Sequence, residues 1–178
     1  KNLFKKSRRI RHYGIEKLNK KNKYNNKYYA FEDGLNSRLD EVQASILNLK
    51  ITKLNSYIKK RQKIAKIYNK ELKNTSIILP KIYKYNEHVF HLYVVRHKKR
   101  DFILKNLKKK GINLNINYPY PIHEMKAYKN LVCDNCWCLN NTKKFSNEIF
   151  SLPVYPEIKD SDIKLLTVNL KKILKHID

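Results

Sequence analysis

Glycine is nearly missing from this 178-residue sequence, with three in all, at Gly14, Gly34 and Gly111, beside five prolines. That excludes collagen-like and low-complexity classes. It also leaves no Gly-rich loop of the kind that cradles phosphates. No run of 18 apolar residues exists, so no spanning helix and no membrane partner are expected. The N-terminal stretch is basic but lacks the apolar centre of a signal peptide. The chain starts at Lys1 rather than at a methionine, as a fragment would. Cysteine is confined to Cys133, Cys136 and Cys138. An odd count in one short segment argues against a disulfide scaffold, and the second ligand pair of a structural zinc site is lacking, so no metal is expected.

Acidic residues are scarce as well, 15 against 40 Lys and Arg, which gives a formal net charge of +25. Such a balance invites a nucleic-acid reading. The basic residues are mostly Lys, spread along the whole chain, and Asn, Ile and Tyr are abundant beside them. These four types share A/T-rich codons, so a biased genome is the simpler source of the charge, and a nucleic-acid partner is not expected. With 42% hydrophobic and 11% aromatic residues the chain can bury a core. Its length suits one domain or part of a larger one.

Within residues 1–14, Lys1 to Arg11 read as the end of a basic helix stopping near Gly14, and Asp33-Gly34 reads as a turn. Leu39, Val42, Ile46, Leu49, Leu54, Tyr57, Ile64, Ile67 and Leu72 then recur mostly at steps of three and four. Ser37 with Asp40 supplies a capping pattern. A helix from Ser37 to Lys73 would run about 55 Å, so a kink, a break or a bridge between domains is expected. After Pro80 the pattern turns mixed. His88–Arg96 reads as a strand, Asp101–Lys110 as a helix closed by Gly111, and Ile112–Tyr118 as a period-two strand. Asn141–Phe150 reads as a helix, Ser151–Pro156 as a rigid extended turn, and a last helix begins at Asp160 or Ser161. The expected class is α/β: a long helix followed by a small α+β domain with a mixed sheet.

No nucleophile motif or carboxylate pair with an obvious setting is present. Two segments stand out. Asn36-Ser37-Arg38 opens the long helix, where free N–H groups, the helix dipole and a guanidinium suit a phosphate. The same residues also suit plain capping, with Arg38 paired to Asp40 or Glu41. Tyr118-Pro-Tyr-Pro-Ile-His123 holds a Tyr and a His on a stiff loop that suits a binding pocket, or is an ordinary Pro-stiffened connection.

The run Gly34-Leu-Asn-Ser-Arg-Leu-Asp-Glu-Val-Gln-Ala44 resembles the signature of the DegT/DnrJ/StrS-type sugar aminotransferases, which are pyridoxal-phosphate (PLP) enzymes of fold type I. The resemblance continues in order through Arg11-His-Tyr-Gly14, His88–Arg96, Tyr118–His123 and Ser151–Pro156, and it is to the family's C-terminal half. It implies that residues 1–50 end a large PLP-binding domain and start the interdomain helix, with 51–178 a small domain. Asn36 is implied to reach the cofactor phosphate of a partner subunit in a homodimer, with Arg38 beside it. Tyr118 and His123 are implied to border the sugar-nucleotide pocket. The implied substrates are glutamate and a nucleotide-diphosphate keto-sugar, a 3-keto sugar before a 4-keto one, in a cytoplasmic route to polysaccharide or glycan. The family's PLP-binding lysine, followed by a Gly-rich turn, has no counterpart in this sequence. The chain is therefore expected to be inactive alone, with that lysine upstream. A basic nucleic-acid module and a catalytically dead partner subunit are the competing readings.

Overall fold

A computed structural model describes residues 2–15, 32–37, 40–124 and 139–177. The fold is mixed α/β, and the chain divides into two compact units, Lys1–Lys53 and Leu54–Asp178.

The first unit opens with α1 (Asn2–Ile10), whose last turn carries Arg8 and Arg9. The helix stops where expected. Tyr13 and Gly14 take left-handed φ values of 57° and 69°, and the Gly14 N–H returns to the Arg9 carbonyl at 3.0 Å. Residues 32–37 then run antiparallel to 10–13. Leu35 N–H donates to Ile10 O at 2.8 Å, Tyr13 N–H to Leu35 O at 3.2 Å, and Ser37 N–H to Arg11 O at 3.1 Å. Gly34 is required for closeness, since a Cβ there would lie 2.0 Å from the Gly14 nitrogen. The turn expected at Asp33-Gly34 is instead a crossing of two backbones. Asp40, not Ser37, caps α2 (Glu41–Ile51), and its Oδ1 accepts from Val42 N–H at 3.1 Å. The helix thus begins four residues later than the spacing suggested, because Asp40 takes the extended backbone of a cap and faces N2 directly. No residue of α1 or α2 is buried.

The expected long helix breaks. The Lys53 N–H bonds to Lys50 O, a tight three-residue closure, and Thr52 Oγ1 donates to Leu49 O at 2.8 Å. Helix α3 (Leu54–Leu72) resumes at once and belongs to the second unit.

That unit holds the core. β1 (Tyr93–Arg96) pairs antiparallel with β2 (Ile149–Leu152) in the register Tyr93↔Leu152 to Arg96↔Ile149. Ile78 bridges to Arg96 and Asn115 to Ser151, widening the ribbon by one residue on each side. α4 (Arg100–Lys108) and α3 pack against α6 (Asp160–Leu174), and α5 (Asn140–Glu148) leads into β2. Tyr68, Leu72, Tyr93, Ile103, Leu107, Phe150 and Leu170 are fully enclosed. Burial leaves the tyrosine hydroxyls dependent on protein partners. Tyr68 donates to Pro153 O at 2.8 Å, and Tyr93 to Asn69 Oδ1 at 2.5 Å.

Three boundaries differ from expectation. β1 starts at Tyr93 rather than His88, because Phe90 is left-handed (φ 50°) and its N–H turns back to His88 Nδ1 at 2.8 Å. Arg61 Nη1 fastens that bend to α3 by donating to the carbonyls of Phe90 and His91, each at 3.2 Å. Residues 112–118 show the expected alternation, with Ile112 and Leu114 against the core, yet pair with the sheet only at Asn115. Ile149–Leu152 is a strand where a helix end and a turn were expected.

Candidate functional site

The sequence runs singled out above meet in space, in one cluster per unit. In the first unit, Arg11–Gly14 lies along Gly34–Ser37, with His12 and Asn36 directly paired. Backbone hydrogen bonds at Leu35 and Ser37 fix the segment on both sides of Asn36, whose side chain is exposed. The anion seat at the start of α2 is taken by the Asp40 carboxylate. Asn36 therefore precedes the helix on extended backbone, and its carboxamide N–H, rather than a helix terminus, is the donor on offer. Arg9 Nε is drawn to Glu32 Oε1 at 2.5 Å, which ties the end of α1 to the incoming segment. His12, across the backbone from Asn36, is the neighbour that spacing alone did not single out as a site residue. Arg38 and Leu39 lie outside the described residues, as do the cysteines at 133, 136 and 138.

In the second unit, Ser151 joins three runs. It is paired with Val94 of β1, its N–H donates to Asn115 O at 2.8 Å, and its hydroxyl donates to Asn117 Oδ1 at 2.9 Å. This buried serine anchors the chain one residue before Tyr118, whose ring is 74% exposed. Pro121 is buried, and a single 3₁₀ turn (Ile122–Glu124) follows, closed by Glu124 N–H to Pro121 O at 3.0 Å. Half-buried His123 rides on that turn, and Glu124 is held by Lys143 at 3.1 Å. Tyr118 and His123 are thus presented by one short loop tied at both ends. Asn36 belongs to the other unit.

A family model described as the DegT/DnrJ/EryC1/StrS aminotransferase family matches residues 1–171. The chain belongs to that family. Among curated relatives of this aminotransferase-family chain, a dTDP-3-amino-3,4,6-trideoxy-alpha-D-glucose transaminase from Micromonospora megalomicea is 41% identical over 157 residues. That alignment covers 85% of the chain and 39% of the relative, so the chain spans about two fifths of that protein's length. Among solved structures, S. venezuelae DesV in complex with a ketimine intermediate is 28% identical with a TM-score of 0.83, covering 96% of this chain and 44% of DesV. NtdA from Bacillus subtilis, with bound cofactor PMP, shares the fold at 24% identity and a TM-score of 0.81, covering 98% of this chain and 40% of NtdA. No helix among the described residues is long and apolar enough to cross a membrane.

Proposed function

We propose that this chain is the C-terminal portion of a PLP-dependent aminotransferase that moves an amino group from glutamate to a nucleotide-linked keto-deoxysugar. The observation that carries the reading is the pairing of Arg11–Gly14 with Gly34–Ser37, which holds Asn36 on a hydrogen-bonded, exposed edge. The donor on offer fits a phosphate: a carboxamide N–H on a segment hydrogen-bonded to the backbone of Arg11. When bound, PLP supplies the electron sink for the transfer. Asn36 holds its phosphate from the partner subunit, and Arg38 supports the same region. Tyr118 and His123 border the sugar-nucleotide pocket and orient the substrate. The lysine that binds PLP covalently lies in the part of the relatives' length that this chain does not span.

The 3-amino product named for the Micromonospora relative supports a 3-keto substrate before a 4-keto one. Glycan or polysaccharide assembly, in the cytoplasm, is the destination consistent with that product class. Residues 1–50 close the large domain and 51–178 form the small one. A homodimer is supported by α2, where Val42, Ile46, Leu49 and Ile51 are all exposed. Asn36→Ala in the complete enzyme tests the reading. Retention of PLP, followed by its absorbance during dialysis, should weaken at least tenfold, about 1.4 kcal/mol. Unchanged retention and turnover would remove Asn36 from the phosphate site.

A further inference from the structure

The second unit carries a feature that does not depend on the proposed reaction. Lys59, Lys63, Lys66 and Lys70 of α3 recur at steps of four and three, and Lys73 extends the series just past the helix. At 3.6 residues per turn they fall in one row, opposite the core positions Ile64, Ala65, Tyr68 and Leu72. The row is about 21 Å long, and all five lysines are exposed. Among the described residues, none of the five has a carboxylate at ion-pair distance. The one acid of α3, Glu71, is held by Lys171 of α6 at 2.6 Å.

At its far end the row meets a cleft of about 400 Å³ between α3 and α6, lined in part by Lys70, Lys171 and Lys175. The outer face of α6 adds Lys164 and Lys172, beyond the two acids Asp160 and Asp162 of its first turn. Set among these lysines are two exposed apolar side chains, Leu165 (55% exposed) and Val168 (41%).

We infer that this face adsorbs to an anionic phospholipid surface. A straight row on a rigid helix meets a plane all at once, and lysine ammonium groups suit a layer of hydrated phosphate headgroups. Leu165 and Val168 gain by entering the headgroup boundary, a gain that a phosphodiester backbone does not offer. The row has no arginine to read base edges and no aromatic ring to stack on bases, so nucleic acid is the less suited polyanion. The absence of a spanning run, from which no membrane partner was expected, has no bearing on adsorption.

Each lysine near such a surface contributes about fivefold in partitioning, and salt screens the effect. The test is sedimentation of the full chain with vesicles of equal parts phosphatidylcholine and phosphatidylglycerol, against phosphatidylcholine alone. The quadruple variant K59Q/K63Q/K66Q/K70Q should lose at least about tenfold in binding. A charge-matched control, K105Q/K108Q/K109Q/K110Q, should lose far less, and L165S/V168S should weaken binding without a charge change. Equal losses in row variant and control would overturn the inference in favour of net charge alone. So would vesicle binding indifferent to L165S/V168S, or a row that governs binding of duplex DNA and not of vesicles.

Discussion

One methyl group added at Gly34 would put a carbon 2.3 Å from the Tyr13 carbonyl carbon and 2.8 Å from the Ile10 oxygen. Backbone cannot yield to it as a flexible side chain would. Gly34→Ala should therefore cost about 1–3 kcal/mol in the first unit and push Asn36 off its edge. PLP retention by the complete enzyme should fall while unfolding of the second unit stays put, and equal PLP retention would show that the crossing does not place Asn36. A second prediction at this scale concerns the enclosed tyrosines. Burial pushes the Tyr93 hydroxyl up to about 12. It raises Tyr68 too, with the neighbouring Tyr155 and Tyr93 adding to the effect of burial. Unfolded tyrosine titrates near 10, so the unfolded chain loses these protons first as pH climbs. The Tyr93 contribution to stability is full below about pH 10 and is lost as pH rises from there through about 12, and that of Tyr68 is lost in the same direction. Unfolding midpoints taken from neutral pH to about pH 11 should fall steeply, and Tyr93→Phe should flatten that fall.

Helices were the more legible elements. The sequence marks α1, α4 and α6 within a residue or two, because α4 and α6 each bury a single stripe and the basic run of α1 gives out before Gly14. Strands were harder, for reasons visible in single residues. His88–Tyr93 has strand-forming side chains throughout, yet His88 captures the Phe90 N–H locally, a competition that composition does not register. Ile149–Leu152 is nearly all buried, so it shows no alternation to read. The family signature exposed both halves of the candidate site, whereas the meeting of its runs at Ser151 and at the Gly14–Gly34 crossing depends on long-range pairing. At this scale Arg61 is the informative position, since its guanidinium alone fastens two carbonyls of the bend to α3. Arg61→Ala should cost about 2 kcal/mol in chemical denaturation, and a loss near zero would mean that Gln62, bonded to the His88 carbonyl, holds the bend without it.

The two units differ in what keeps them folded. The second has an enclosed core to which α3, the ribbon, α4 and α6 all contribute, and the first buries no residue of either helix. Hydrogen exchange should record this directly. Amides of α3, α4, β1, β2 and α6 should be strongly protected in the isolated chain, and those of α1 and α2 should exchange quickly. In the proposed dimer α2 should become slow, since the contact would cover the side that carries Val42, Ile46 and Leu49. If α2 stays fast there, the dimer does not use that side.

The exposed aliphatic residues of α2 also have a consequence during synthesis. The first unit leaves the ribosome before the second, and at about 5–20 residues per second the rest of the chain takes on the order of ten seconds to follow. Through that interval the nascent helix shows five branched aliphatic side chains, Val42, Ile46, Leu47, Leu49 and Ile51, before the second unit has been made. Growth temperature and chaperone supply, as well as the strength of the finished core, should then affect how much of this protein a cell accumulates.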